Sequence, residues 1–144
     1  MTRSTPRDLY DFYNLFKYNL FTEEELSLIR KCAIFYRAIS NEDDNYDFDI
    51  SNIKHISQND IKRLLYPVIS STERFSLTEA VSTVADQFLI HFVPNEKEQL
   101  FLDEFKKRKY HPELLFDDIE IVNQLKNHPM AIWKMKEKTH DIER

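Results

Sequence analysis

Two groups of side chains in this sequence could act on a ligand or a substrate. The first is Arg7, Asp8 and Asp11. On a helix the guanidinium and both carboxylates share one flank, with the two acids one turn apart. The same set has a structural use, because Asp8 can satisfy free N–H groups of a first turn and both acids complement the helix dipole. The second group is Lys106-Lys107-Arg108-Lys109, the one concentrated positive run, followed by Tyr110 and His111. At a helix end these cations complement the dipole; equally, they can grip RNA phosphates while the two rings stack on bases. Other chemistries find no support. His55, His91, His111, His128 and His140 show no ligand spacing such as H-x-x-x-H, so no metal site is expected within this chain. Cys32 has no second thiol and falls on the apolar side of its helix, where thiols are normally inert, and nothing resembles G-x-S-x-G.

Composition narrows the scaffold that must position these groups. The chain has 144 residues, enough for one domain with a real core, and 42% of them are hydrophobic, including 11 Phe and 7 Tyr. It contains no glycine. That excludes a P-loop, a dinucleotide fingerprint and an Asn-Gly hairpin, all of which need φ > 0 or close backbone approach. A net charge of −5 argues against sequence-independent nucleic-acid binding by the whole surface, and DNA is not an expected partner. A single cysteine excludes an internal disulfide and fits a reducing compartment. No run approaches about 20 apolar residues and no basic-then-apolar leader opens the chain, so a cytoplasmic protein without membrane contact is expected.

The periodicity predicts helices throughout. Thr5, Pro6 and Asp8 form a capping-box start to a helix running to about Leu20, with Leu9, Phe12, Tyr13 and Phe16 on one side. Thr22 and Glu25 start a second, whose expected apolar side is Leu26, Ile29, Cys32, Ala33, Tyr36 and Ile39. Residues 41–49 read as an acidic loop. Ser57 to Asp60 opens a short helix through Leu65, ended by Pro67. Ser76 and Glu79 open the strongest helix, with the apolar repeat Leu77, Ala80, Val81, Val84, Ala85, Phe88, Leu89 and Phe92, stopped by Pro94. A helix from Glu96 to Lys109 should bury Leu100, Phe101 and Phe105. Leu114, Leu115 and Phe116 form an apolar knot; Ile119, Val122 and Leu125 suggest a short helix, and a last turn or two carries Trp133, expected to anchor the tail in the core. The fold class is therefore all-α: an irregular, glycine-free bundle of five to seven helices in a single domain over 1–144, without a substantial sheet.

The R-D-x-x-D run on an aromatic-rich helix resembles the last motif of the abortive-infection nucleotidyltransferase toxins of the AbiEii/AbiGii type. Phe35-Tyr36-Arg37 resembles that family's aromatic-arginine segment, and His128-Pro129-Met130-Ala131-Ile132-Trp133-Lys134 resembles its proline-then-tryptophan-lysine tail. The order of these pieces spreads the resemblance over nearly the whole chain. It implies that this is the helical C-terminal portion of a longer toxin, missing an N-terminal nucleotidyltransferase domain with its catalytic sheet. In that family carboxylates hold a divalent metal and a cation steadies the triphosphate. Carried over by residue, Asp8 and Asp11 are the catalytic candidates, Asp8 first, and Arg7 is the nucleotide-binding one. Magnesium and a GTP-like nucleoside triphosphate are implied for the full-length protein, and no cofactor for this chain alone. RNA, as acceptor, is the partner that the run Lys106 to Lys109 would contact. The departures are as informative. The family's glycine-serine motif and the lysine before R-D-x-x-D are absent, and the sole D-x-D, Asp47-Phe48-Asp49, follows the motif instead of preceding it. This chain alone is therefore not expected to catalyse nucleotidyl transfer. The alternative is a stand-alone helical interaction module without enzymatic activity, with its partner surface around Leu9, Phe12 and Phe16.

Overall fold

The computed structural model describes residues 5–40 and 50–136; Asp47-Phe48-Asp49, the acidic stretch 41–49 and His140 lie outside the described residues. It is all-helical, and the described residues include no strand. The helices are α1 (Pro6–Lys17), α2 (Glu23–Ser40), α3 (Gln58–Asp60), α4 (Leu77–His91), α5 (Glu96–Lys106), α6 (Ile119–Lys126) and α7 (Pro129–Lys136). A π-helical turn, Ile61–Leu65, continues α3, and 3-10 turns occupy Ser51–His55 and Pro112–Leu114. The chain divides into two compact units, one made of residues 5–26 with 50–93 and the other of 27–40 with 94–136.

In the first unit α1 packs on α4. Leu9 and Tyr13 are buried with Ile53, Ala80 and Val84, and Phe12, Phe16, Phe75 and Phe88 close around them. The Phe12 ring meets Phe88 edge-on at 6.0 Å, and Tyr13 meets Phe75 at 5.9 Å. The tyrosine hydroxyls stay satisfied at the rim: Tyr13 donates to Glu79 Oε1 and Tyr10 to Glu73 Oε1, each at 2.7 Å. Leu9, Phe12 and Phe16 thus belong to a core, and cannot form the exposed partner face expected of an interaction module.

The second unit buries Ile34, Phe35, Ala38 and Ile39 of α2 and Phe101, Leu102 and Phe105 of α5, with Leu115, Phe116, Val122 and Ala131. The inward side of α2 differs from the expected one, since Tyr36 is exposed. At about 100° per residue, Ile34, Phe35, Ala38 and Ile39 centre roughly 150° round the wheel from Leu26. The first turn of α2 belongs to one unit and the rest to the other, so the helix carries two burial faces and not one stripe. Leu89, Leu100 and Ile119 are likewise exposed, while Leu102, unassigned by periodicity, is buried. On α7 the register shifts by one residue: Trp133 is 51% exposed and Lys134 only 4%, so the tail is anchored by Ala131 and the Lys134 stem instead of the indole.

Helix ends show how a chain without glycine turns. After α1, Asn19 takes φ 47°, and after α5, Arg108 takes φ 62°. The flanking bonds, Leu20 N–H to Leu15 O and Asn19 N–H to Phe16 O, and Lys109 N–H to Glu104 O and Arg108 N–H to Phe105 O, are two Schellman closures. Asparagine tolerates the left-handed region; arginine there sits against Cβ strain of about 1 kcal/mol. This closure ends α5 at Lys106, three residues before the position that periodicity suggests.

Candidate functional site

Arg7, Asp8 and Asp11 all lie in the first two turns of α1, as the capping box dictates. Asp8 Oδ2 accepts from the Thr5 amide at 2.9 Å and the Thr5 hydroxyl at 2.8 Å, and the Asp8 amide donates to Thr5 Oγ1 at 3.2 Å. One oxygen of this carboxylate is therefore engaged in holding the helix start. Asp11 is exposed, and its carboxylate has no hydrogen-bond or ion-pair partner among the described residues. Arg7 is exposed as well; its Nε donates to Leu64 O at 3.4 Å, across to the π-helical turn. Its two terminal amino groups have no partner among the described residues. The helix thus offers an open guanidinium and an open carboxylate one turn apart, with Asp8 between them fixing the geometry.

The run Lys106 to Lys109 is exposed apart from Arg108, which is half-buried at the Schellman turn. Glu104 reaches Lys107 Nζ at 2.9 Å and Lys109 Nζ at 3.6 Å, and these cations hold its carboxyl below the usual range. Lys106 and Arg108 are engaged too. Of the two rings beside the run, Tyr110 serves the core: it packs on Phe101 and Phe105, and its hydroxyl donates to Leu125 O at 2.7 Å. Burial pushes that hydroxyl up to about 12. His111 Nδ1 sits 3.0 Å from Glu113 Oε1.

The feature that sequence reasoning missed is Glu98. It is 1% exposed, yet every bond it needs is present. Its Oε2 accepts from the Asn95 amide at 2.9 Å and from Arg30 Nε at 2.9 Å, and its Oε1 from Arg30 Nη2 at 3.1 Å. The signal was the spacing Asn95-x-x-Glu98 after Pro94, a capping box; the Arg30 partner, 68 residues away, leaves no local trace.

Cavities lined by described residues include two away from these groups. One of about 60 Å³ in the first unit is lined by Leu15, Phe16, Asn19, Gln87 and His91 among others, with Glu23 Oε2 3.6 Å from His91 Nδ1. An open groove of about 480 Å³ in the second unit runs along the start of α5, from Pro94 to Asp103. Arg7, Asp8 and Asp11 line neither. Among the described residues no three His, Cys, Asp or Glu side chains converge to hold a metal, and no helix is long and apolar enough to cross a membrane. Burial raises the Cys32 thiol, leaving it a poor nucleophile. Compared with known proteins, the chain matches no family model, no curated protein and no solved structure.

Proposed function

We propose that this chain is the helical C-terminal part of a nucleotidyltransferase toxin of the abortive-infection type. Its α1 flank completes a nucleotide pocket whose other wall belongs to an N-terminal catalytic domain. Arg7 steadies the triphosphate, Asp11 faces the metal-bound nucleotide, and Asp8 fixes the helix start that sets both. Nucleotide and magnesium are ligands of the whole toxin, and this piece by itself is inactive. The observation that supports the reading is the R-D-x-x-D run placed on a rigid, boxed helix start with the Arg7 amino groups and the Asp11 carboxylate open. Charge kept open on a helix, beside a cap that uses only one of its acids, is an arrangement suited to a phosphate–metal ligand. The coding sequence upstream of Met1 tests it: a continuous frame with a glycine-serine and a D-x-D segment is expected. Expressed whole, that protein should transfer label from a nucleoside triphosphate, with Arg7→Ala lowering kcat/KM at least 100-fold. An upstream frame lacking those motifs rejects the reading.

A second reading, a helical interaction module, draws on the large apolar side chains left exposed, Ile119, Leu89 and Ile90 foremost at 76%, 68% and 66%.

A further inference from the structure

Asp8 is fixed by its own cap, but Arg7 enters the same flank on a long, exposed side chain. The α1 backbone alone does not aim a guanidinium, because such chains in water keep most of their rotamer freedom. The hydrogen bond that does reach it, from Arg7 Nε to Leu64 O, spans 57 residues of sequence and ends on the π-helical turn.

The register of that turn is what makes the carbonyl available. In a continuing α-helix, Leu64 O would accept from the Val68 amide. Here the Tyr66 amide reaches back to Ile61 O at 3.0 Å, which widens the ladder by one residue. The next donor in the widened register would be position 67, and Pro67 has no N–H. The Val68 and Ile69 amides both fold onto Leu65 O, at 2.9 and 3.3 Å. No main-chain donor therefore remains for Leu64 O among the described residues. The turn itself is seated in the core, with Ile61 and Leu65 0% and 1% exposed, and it packs on α1. An exposed cation is thus tied to a carbonyl whose place is set by buried side chains.

We propose that the π-helical turn is the positioning element of the α1 flank: Leu64 O holds Arg7 by Nε and so presents both terminal amino groups outward, as a preset fork for anionic phosphate oxygens. A guanidinium is planar, so a bond at Nε restricts where its remaining donors point. A fork ordered before the ligand arrives loses less freedom on binding, which is the gain of preorganisation. Single π-turns inside helices recur at functional sites. Leu64 is a positioning residue that acts through its main chain, and its side chain is dispensable. The inference rests on the nucleotidyltransferase reading for what the fork receives, and on this chain alone for how the fork is held.

Nuclear magnetic resonance of the isotope-labelled 144-residue chain reads the side-chain motion directly, with no nucleotide present. Two other arginines set the ends of the scale. Arg30 is bonded to Glu98, and Arg74 is exposed with no partner among the described residues. Arg7→Lys removes one Nε–H resonance and so assigns it. The order parameter of the Arg7 Nε–H should lie with that of Arg30, above about 0.6, and that of Arg74 below it. Leu64→Ala, at an exposed site, should leave the Arg7 value unchanged because the acceptor is main-chain. An Arg7 Nε–H as mobile as that of Arg74 overturns the inference. So does loss of the restraint in Leu64→Ala, which would assign it to the leucine side chain. Neither result touches the nucleotidyltransferase reading, which the upstream coding sequence decides.

Discussion

Two arginines in this molecule sit near a capping-box acid, with opposite outcomes. Arg30 closes on Glu98 with two bonds of 2.9 and 3.1 Å, and the carboxylate is 1% exposed. Arg7 lies on the same turn as Asp8, yet Asp8 turns back to Thr5 and Arg7 reaches away to a carbonyl on another segment. Solvent makes the difference. A carboxylate taken out of water must have both oxygens answered, so Glu98 recruits a guanidinium as well as the Asn95 amide. An exposed carboxylate needs only its cap, which leaves the neighbouring guanidinium available. Charge at the first site is architecture; charge at the second stays open to solvent.

The contrast breaks most visibly at Glu98. Glu98→Ala removes the partner of a largely buried Arg30 and should lower stability by about 3–5 kcal/mol, read as the urea midpoint. Arg30→Ala should do comparable damage, and the double variant much less than the sum of the two. If Glu98→Ala loses under about 1 kcal/mol, the pair is not architectural.

Tyr110 gives the pH counterpart within the same unit. Its hydroxyl is raised from 10.0 to about 12 by burial, with Glu113 adding to the rise. A folded-state pKa above the unfolded one gives stability that is present below pH 10 and lost as pH climbs toward 12. Absorbance at the phenolate band should therefore show late-titrating tyrosine, and Tyr110→Phe should remove that late component. Tyr10 and Tyr13, which donate to Glu73 and Glu79, are shifted upward too and should titrate above the ordinary phenol value of 10.0. Uniform titration near pH 10 contradicts both placements.

At the exposed cap the effects shrink. Asp8→Ala should destabilise by about 1 kcal/mol, the ordinary worth of an N-terminal cap interaction. Asn19→Gly should stabilise by a few tenths of a kcal/mol, because glycine accepts φ 47° without the Cβ penalty. Loss of stability on that change would mean that the Asn19 side chain does more than turn the chain.

Where local chemistry decides, the sequence was readable. The boxes at Thr5–Asp8, Thr22–Glu25 and Ser57–Asp60 start helices at the positions their spacing implies, and α4 runs where its apolar repeat places it. The all-helical class follows from the same cues and the missing glycine. What failed was the choice of inward face. Tyr36, Leu89, Leu100, Ile119 and Trp133 fit a helical stripe yet stand in solvent, because periodicity gives a spacing and not the direction in which the neighbouring element lies. On α2 two units use two faces; on α7 a lysine stem replaces an indole. Ends set by left-handed residues were also hidden, since Arg108 at φ 62° carries no signal of its own. For the candidate site, the sequence supplied Arg7, Asp8 and Asp11 but not their division of labour, which depends on whether each carboxylate meets water. The Arg30–Glu98 pair, 68 residues apart, was invisible for the same tertiary reason.

If charge on the first helix is held open for a ligand, the Arg7–Asp11 flank must be surplus to the fold. Urea unfolding of the Arg7→Ala/Asp11→Ala double variant puts that to the proof. The predicted midpoint corresponds to a stability within about 0.5 kcal/mol of the parent, the range of exposed charges. A loss beyond about 2 kcal/mol would make the flank part of the architecture, like Glu98, and leave nothing there for a ligand to meet.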